Sequence, residues 1–272
     1  MPEPIDIPGA RVPIPAGITA EGFDLGYRVA TSTTVLERIA REVDGDDYPE
    51  GVEPYGFSTL WTLRTFVTEL ALPEHGTLVD IACGRAGVSL WVARETGADL
   101  VGVDWSPVGV AAAIERAAGW VAEGRARFRL GDLVDTGLPD GCADAVLCAD
   151  AIFFASDRIA AVREAARILR PGGRYAFTAD EADDGRERSV PDWRPIIQAG
   201  GLQVVSRIEI PHWRERLTRT YELWLENLDE VRETLGDEYA DELRDEAQAV
   251  GPSLAERTGV LYVARRPVVA VG

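Results

Sequence analysis

The sequence predicts an α/β fold with a mostly parallel sheet and helices on both of its faces. Between residues 77 and 179, apolar strand-like runs alternate with segments of helical periodicity, which is the order that builds a parallel sheet with crossover helices. Two further β-rich runs follow at 202–210 and 260–266, with a strongly helical stretch between them. The length of 272 residues suits one such domain with additions.

The chain before the first strand is predicted to stand apart from the sheet. Prolines at positions 2, 4, 8, 13 and 15 predict that residues 1–20 form an extended arm, disordered or laid against a neighbouring subunit of a homodimer. Residues 21–72 are predicted to form a helical cap, with helices around 31–43 and 58–71. Residues 73–272 are then the core.

The elements of the core follow from local signals. Pro107 favours the first turn of a helix, and the Pro171-Gly172-Gly173 break separates a helix from the strand after it. The predicted order is a strand at 77–81, a helix at 88–95, a strand ending at 104, a helix from 107, strands at 125–130 and 143–149, a helix at 157–169 and a strand at 172–179.

The first strand, turn, helix and second strand predict a binding site for a molecule that carries a ribose. Ala82, Cys83 and Gly84 leave the turn nearly free of side-chain bulk, so that the backbone can approach a ligand closely. Asp104 ends the second strand, where its carboxylate can accept both hydroxyls of an adenosine ribose.

Two cofactor classes fit this unit. A dinucleotide site has the pattern G-x-G-x-x-G, and the aligned residues are Ala82, Gly84 and Gly87. Asp80, just before the turn, instead suits the cationic amino acid end of S-adenosylmethionine (SAM), because a carboxylate pairs better with an ammonium than with a pyrophosphate. On these residues alone both cofactors stay open.

From residue 55 to residue 267 the chain resembles the class I methyltransferases, which depend on SAM. The first motif of that family, D-x-G-x-G-x-G, is matched from Asp80 to Ala86, with alanine in place of the first and third glycines. The later motifs are matched by Asp104-Trp105, Gly131-Asp132-Leu133, ADAVLCAD at 143–150 and LRPGGRYAFT at 169–178.

The resemblance implies a Rossmann-like sheet of seven strands with an antiparallel last strand, and a helical lid at 211–258 between the last two strands. It implies SAM as the cofactor, held by Asp80, Ala82, Cys83, Gly84, Asp104, Trp105, Asp132, Leu133 and Asp150. Because alanine lacks the easy access of glycine to positive φ, we expect Ala82 and Ala86 to have negative φ, or the loop to be displaced onto Gly87.

The predicted lid and the loop at 45–57 supply the candidate substrate residues. Trp213, Leu217, Tyr221, Trp224 and Leu228 recur at helical spacing and share one face, which either contacts a flat, apolar small molecule or simply seals the edge of the sheet. The substrate contacts that we predict are Phe57, Phe153, Trp213 and Trp224.

Catalysis by methyl transfer depends mainly on positioning, and a base is needed only when the acceptor loses a proton. His212 is the candidate base, since histidine titrates near neutral pH. Tyr55 and Tyr221 are candidate proton relays. An alternative places a divalent metal among Asp132, Asp150 and Asp180, but we predict no metal site because scattered acids are common in so acidic a chain.

Composition excludes several classes of protein. All 28 basic residues are arginine, so a Schiff-base lysine and a phosphate-loop lysine are both impossible. A net charge of −18 argues against a nucleic-acid partner. Three cysteines without a C-x-x-C pair fit a reducing cytoplasm, and the absence of a long apolar window argues against a membrane segment.

The sequence thus predicts a cytoplasmic enzyme that transfers the methyl group of SAM to oxygen, nitrogen or carbon of a small, aromatic metabolite. Within that family the chain resembles the specialised-metabolite enzymes of bacteria, including indole-alkaloid and polyketide tailoring types. Two alternatives remain open. One is an NAD(P)-dependent oxidoreductase, which would bind a nicotinamide cofactor, and the other is a SAM-binding module without catalysis.

Overall fold

A mixed sheet organises the chain. The computed structural model describes residues 7–14, 19–29, 34–52 and 55–268. Its strands are β1 Thr77–Ile81, β2 Asp99–Asp104, β3 Ala126–Leu130, β4 Ala143–Cys148, β5 Leu169–Ala182, β6 Gln203–Glu209 and β7 Arg257–Arg265. They form one sheet in the order β3-β2-β1-β4-β5-β7-β6. Strands β1 to β5 pair in parallel, and β7 is antiparallel to both β5 and β6, which confirms the predicted fold class.

Helices precede, connect and follow these strands. They are α1 Ala20–Val29, α2 Thr34–Asp44, α3 Leu60–Leu70, α4 Gly87–Thr96, α5 Pro107–Ala117, α6 Arg158–Ile168, α7 Arg194–Ala199, α8 Trp213–Glu226, α9 Leu228–Leu235 and α10 Asp237–Val250. The sequence analysis missed α1 and α7, and it predicted one helix where α8 and α9 meet at Asn227. Within the described ranges, none of these helices combines the length and the apolar character needed to cross a bilayer.

The core lies on both faces of the sheet, as the alternation of side chains along a strand requires. Leu78 packs with Leu63 and Leu90 beneath α3 and α4, whereas its neighbour Val79 packs with Val162 of α6 on the opposite face. Burying each such side chain contributes about 1.5–3 kcal/mol. The helices therefore cover both faces and leave the carboxyl ends of the parallel strands free to form a site.

The lid consists of α8, α9 and α10, inserted between β6 and β7 as predicted. It packs against the cap through a shared apolar cluster that includes Val35 and Ile39 of α2, Val231 of α9 and Leu243 of α10. Cap and lid are thus joined to one another as well as to the core.

The predicted disordered arm is wrong for the part of it that the structure describes. In residues 7–14, Ala10 and Val12 are buried, and Val12 N–H donates to the carbonyl of Ser156 over 2.9 Å. Arg11 pairs with Asp157 at 3.0 Å. Residues 1–6 and 15–18, which contain Pro2, Pro4 and Pro15, lie outside the described residues.

Candidate functional site

The turn after β1 has a left-handed backbone at three alternate positions. Ala82 has φ 61°, Gly84 has φ 52° and Ala86 has φ 59°. The expectation of negative φ at the two alanines, or of a loop displaced onto Gly87, is therefore wrong. The alanines adopt the conformation that glycine provides in the family motif, at a cost of about 1–2 kcal/mol each.

Asp104, at the end of β2, holds this turn in place. Its Oδ2 accepts the N–H of Gly84 over 2.7 Å, and its Oδ1 accepts the N–H of Ser106 over 2.9 Å. Burial raises the pKa of Asp104, while these backbone donors partly offset that effect. Each carboxylate oxygen has a second lone pair, so the hydroxyls of a ribose can still be accepted here.

Asp80, in β1, has the chemistry that the cationic end of SAM requires. Its side chain is buried, and among the described residues its Oδ1 has no hydrogen-bond partner. Burial raises the pKa of Asp80 to about 7, and the negative charge of Asp104 adds to the effect. A buried carboxylate without a cation is costly, so an ammonium group would satisfy it. The neighbouring Cys83 thiol is buried, and burial raises its pKa, which argues against a nucleophilic role.

Helix α1, which the sequence analysis did not predict as a helix, covers this site. The ring of Tyr27 lies over the turn, because a Cβ on Gly84 would be 2.8 Å from the Tyr27 hydroxyl oxygen. One turn earlier in the helix, Asp24 accepts a hydrogen bond from the hydroxyl of Ser106, the residue that caps α5. The available signal was the spacing of Phe23 and Tyr27, four residues apart in a helix-forming segment.

The residues predicted to hold adenine follow β2 and β3. Trp105 is half-buried, and its ring centroid is 5.8 Å from that of Phe23. Leu133 is half-buried against the core. Asp132 is exposed and accepts the N–H of Val134 over 3.1 Å. Asp80 and Asp104 therefore sit together at the turn, whereas Asp132 lies at the rim.

Asp150, predicted as a cofactor contact, also fastens a loop. It has φ 52° directly after β4. Its Oδ1 accepts the hydroxyl of Thr178 over 2.6 Å, and its Oδ2 accepts the N–H of Phe57 over 3.0 Å and the hydroxyl of Ser58 over 3.1 Å. The carboxylate thus positions the loop that carries Tyr55 and Phe57.

Tyrosines connect the cofactor carboxylates with the lid. The ring centroids of Tyr27 and Tyr55 are 4.7 Å apart. Burial is the main cause that raises the pKa of both tyrosines; the charges of Asp104 and Asp80 add to it at Tyr27, and Tyr239, Glu242 and Glu246 of α10 add to it at Tyr55. We call Tyr55, Tyr221, Tyr239, Glu242 and Glu246 the lid polar group. Of its members, the sequence analysis named only the first two.

The aromatic stripe of α8 serves mainly as packing. Trp213 lies directly on β7, since a Cβ on Gly259 would be 2.1 Å from its indole ring. Trp224 is 5.3 Å from Tyr221 and 6.1 Å from Phe57, between ring centroids, within an apolar cluster of the lid. Packing on the face of the sheet accounts for Trp213, and packing within the lid and against Phe57 accounts for Trp224.

Two predicted residues lie away from the lid polar group. His212 is exposed at the turn between β6 and α8, with φ 52°. Phe153 is half-buried, and its ring centroid is 4.6 Å from that of Phe154. Its carbonyl accepts hydrogen bonds from Arg158 and Arg188.

The alternative of a metal site receives no support from the geometry. In the parts of the chain that the structure describes, no three histidine, cysteine, aspartate or glutamate side chains come together as a group able to hold a metal ion. Asp132, Asp150 and Asp180 are not gathered into one ligand set.

Known proteins match this chain in sequence and in fold. Residues 79–177 match a family model described as a methyltransferase domain. Methyltransferase GfsG of Streptomyces halstedii is 33% identical over 129 residues, 47% of this chain and 46% of that protein. The 27-O-demethylrifamycin SV methyltransferase of Amycolatopsis mediterranei is 28% identical over 174 residues, 55% of this chain and 64% of that protein. The matches thus span about half to two thirds of the relatives' length.

Solved structures extend the likeness in fold to almost the whole chain. The cyclase SpnF superposes with a TM-score of 0.69 at 20% identity, over 95% of this chain and 100% of that one. The order of the strands, the turn after β1 and the neighbouring carboxylates of Asp80 and Asp104 are typical of one class of protein. That class is the Rossmann-like α/β proteins that bind a nucleotide cofactor. Within that class, residues 79–177 match a methyltransferase domain, and the chain resembles the class I methyltransferases, whose cofactor is S-adenosylmethionine.

Proposed function

We propose that the protein transfers the methyl group of SAM to oxygen, nitrogen or carbon of a small, aromatic metabolite of specialised metabolism. One observation supports this proposal above all. Tyr27 and Tyr55 lie between the buried carboxylates of the turn and a lid that contains further tyrosines. Aromatic side chains that keep a polar hydroxyl suit a flat molecule bearing a polar group.

Each part of the site has a role in this proposal. Asp80 pairs with the cationic amino acid end of the cofactor, and Asp104 accepts the ribose hydroxyls. Trp105 and Leu133 enclose the adenine, and Asp132 accepts its amino group. When bound, the cofactor supplies an electrophilic methyl group. The protein holds the acceptor atom in line with the methyl group. Such positioning lowers the activation barrier by about 7–11 kcal/mol in favourable cases.

The relatives support a small-molecule acceptor. GfsG and the rifamycin enzyme are bacterial methyltransferases, the second named for a rifamycin substrate. SpnF, similar in fold, is described as a cyclase, so the fold alone does not specify methyl transfer. His212, Tyr55 and Tyr221 remain the candidates for handling the acceptor's proton. Phe57, Phe153, Trp213 and Trp224 remain candidates for contacting its rings. A cytoplasmic location and a homodimer also stay predictions.

Parallel calorimetric titrations with SAM and with NAD test the proposed cofactor. We expect SAM to bind and NAD not to bind, and we expect Asp104→Ala to abolish binding. Asp183→Ala is the matched control, since Asp183 is an exposed aspartate on the loop after β5. Binding of NAD in place of SAM would instead favour an oxidoreductase.

Methyl-labelled SAM, incubated with a panel of phenols, indoles and aromatic amines, tests the transfer. We expect label to appear in at least one of these probes. Binding of SAM without transfer to any probe would favour a binding module without catalysis. Loss of transfer in His212→Ala or in Tyr55→Phe, with unchanged SAM binding, would assign that side chain a role at the acceptor.

A further inference from the structure

Tyr221 and Glu246 form a hydrogen-bonded pair between two helices of the lid. The Tyr221 hydroxyl, on α8, donates to Oε1 of Glu246, on α10, over 2.9 Å. The tyrosine side chain is buried, with 4% of its surface exposed. A buried phenol needs a hydrogen-bond partner, and Glu246 supplies it here.

The groups around this pair make the Glu246 carboxylate a stronger base than an ordinary glutamate. Glu246 faces Tyr239 and Glu242 of its own helix, Tyr55 of the loop before α3 and Tyr221 of α8. Within the described residues, no arginine forms an ion pair with Glu246. Burial raises the pKa of Glu246, and the hydrogen bond from Tyr221 partly offsets that effect.

Glu246 nevertheless keeps contact with solvent. Glu246 is an exposed residue, although the protein around its carboxyl group is dense enough for burial to raise its pKa. A carboxylate that faces a water-accessible space inside the protein has both properties. Such a group can take up a proton from the site and later release it to water.

The pair also lies close to charged groups at the end of the sheet. Arg257 of β7 and Asp180 of β5 affect the pKa of Tyr221 in opposite directions, and they pair with one another at 3.0 Å. The positive charge of Arg257 balances the negative charge of Asp180. Glu246, which already accepts the hydrogen bond of Tyr221, is therefore the group positioned to receive the proton of the tyrosine.

We propose that Tyr221 and Glu246 form the proton-accepting pair of the acceptor site, and that the acceptor is methylated at a hydroxyl or amine that loses a proton. This inference rests on the methyl transfer proposed above and selects O–H and N–H acceptors over carbon. Tyr221 contacts the acceptor as a catalytic residue. Glu246 acts through Tyr221 as a positioning residue.

The step balances without a further reactant. A lone pair of the acceptor oxygen or nitrogen forms the new bond to the methyl carbon, and the electron pair of the carbon–sulfur bond stays on sulfur. The acceptor's proton passes to the oxygen of Tyr221, whose own proton passes to Glu246. The positive charge of the sulfonium and the negative charge of the carboxylate disappear together.

Three variants test the pair in the full-length protein. Glu246→Gln keeps the hydrogen bond from Tyr221 but cannot take up a proton, Tyr221→Phe removes the relay, and Glu246→Asp keeps a carboxylate. Glu238→Gln, an exposed residue two turns away on the same helix, is the matched control. Methyl transfer to the phenol and amine probes is measured against pH at saturating SAM, and SAM affinity is measured by calorimetry.

We expect Glu246→Gln and Tyr221→Phe each to lower kcat by about 100-fold or more, the usual contribution of proton transfer. The double variant should lose little more than either single variant. Wild-type kcat should fall as the pH drops through the ionisation of Glu246, because only the ionised form accepts a proton. Glu246→Gln should lack this fall, and Glu246→Asp should retain it with partial activity.

Other results would overturn the proposal. Wild-type kcat and an unchanged pH profile in Glu246→Gln would show that the carboxylate takes no proton. Methyl transfer to a ring carbon of the phenol and indole probes, and not to their hydroxyl or N–H groups, would argue against an O–H or N–H acceptor while leaving methyl transfer itself intact. Failure to bind SAM would refute the proposed function itself, and the calorimetry separates that result from the other two.

Discussion

The backbone N–H of Gly84 donates to Oδ2 of Asp104 over 2.7 Å and so ties the turn after β1 to the end of β2. Since both groups are buried, this charge-assisted bond organises the turn in the absence of any ligand. It also helps to explain how the turn tolerates alanine at two positions where the family motif has glycine.

Replacing those alanines with glycine should stabilise the protein. Ala82 and Ala86 have φ values of 61° and 59°, where a Cβ atom is strained. Each substitution removes that strain but makes the unfolded chain more flexible, so we expect a net gain of about 0.5–1 kcal/mol per site. Urea unfolding measures the free energy of unfolding of each variant.

Ala111→Gly is the control for these substitutions. Ala111 is exposed within α5, where glycine should destabilise the protein by about 1 kcal/mol because of its low helix propensity. If Ala82→Gly and Ala86→Gly destabilised the protein as much as Ala111→Gly does, the left-handed conformation of the turn would be wrong.

The contact between Gly84 and Tyr27 predicts a coupled pair of substitutions. A Cβ on Gly84 would be 2.8 Å from the Tyr27 hydroxyl oxygen and 3.1 Å from the nearest ring carbon. Gly84→Ala should therefore displace α1 and weaken SAM binding, and Tyr27→Ala should restore part of the loss. Calorimetry on the two single variants and the double variant measures the coupling. Strictly additive effects would mean that α1 does not lie over the turn.

SAM affinity should depend on pH through Asp80. Burial raises the pKa of this side chain to about 7 in the free protein, whereas pairing with an ammonium group requires the ionised form. Below pH 7, the dissociation constant should therefore rise by up to about tenfold per pH unit. Calorimetry between pH 5.5 and 8 measures this slope.

Asp80→Asn tests the assignment, since it should bind SAM weakly and with little dependence on pH. The same shift predicts that the free protein loses stability as the pH rises from the usual aspartate pKa of about 3.9 towards 7, because the folded state favours protonated Asp80. An Asp80→Asn protein whose stability follows the wild-type pH profile would contradict that account.

The sequence was sufficient to predict the sheet and the lid because their signals are local and repeated. Alternating apolar strands and helices specify parallel pairing, and the separated runs at 202–210 and 260–266 become the antiparallel pair β6 and β7. The resemblance then supplied the strand count and the position of the lid. Helix α7, of six residues, carries too short a pattern to be recognised in the same way.

The site was only partly predictable because several of its contacts join distant parts of the chain. Asp80 and Asp104 follow neighbouring parallel strands and were found from their positions. Asp150 also lies directly after its strand, as predicted from the sequence. The groups that donate hydrogen bonds to it come from β5 and from the loop at 57–58, and a pattern of neighbouring residues cannot reveal such distant partners. Glu246 resembles any other acid of an exposed helix until Tyr221 is seen to donate to it.

The anchoring of residues 7–14 should depend on the buried side chain of Arg158. This residue is 2% exposed and donates to the carbonyls of Gly9, Arg188 and Phe153. Arg158→Met fills a similar volume but leaves the carbonyls of Gly9 and Arg188 without this donor, whereas that of Phe153 keeps its bond from Arg188, and we expect a loss of about 3 kcal/mol in the free energy of unfolding. Urea unfolding measures this loss, and amide hydrogen exchange measures the protection of Val12.

Arg163→Met is the matched control, because Arg163 is exposed on the same helix and its loss should change stability by less than about 0.5 kcal/mol. In Arg158→Met the amide of Val12, bonded to the carbonyl of Ser156, should exchange faster while amides of β1 keep their protection. Equal stability of the two variants, with Val12 still protected, would mean that apolar burial of Ala10 and Val12 is enough to hold this segment on the core.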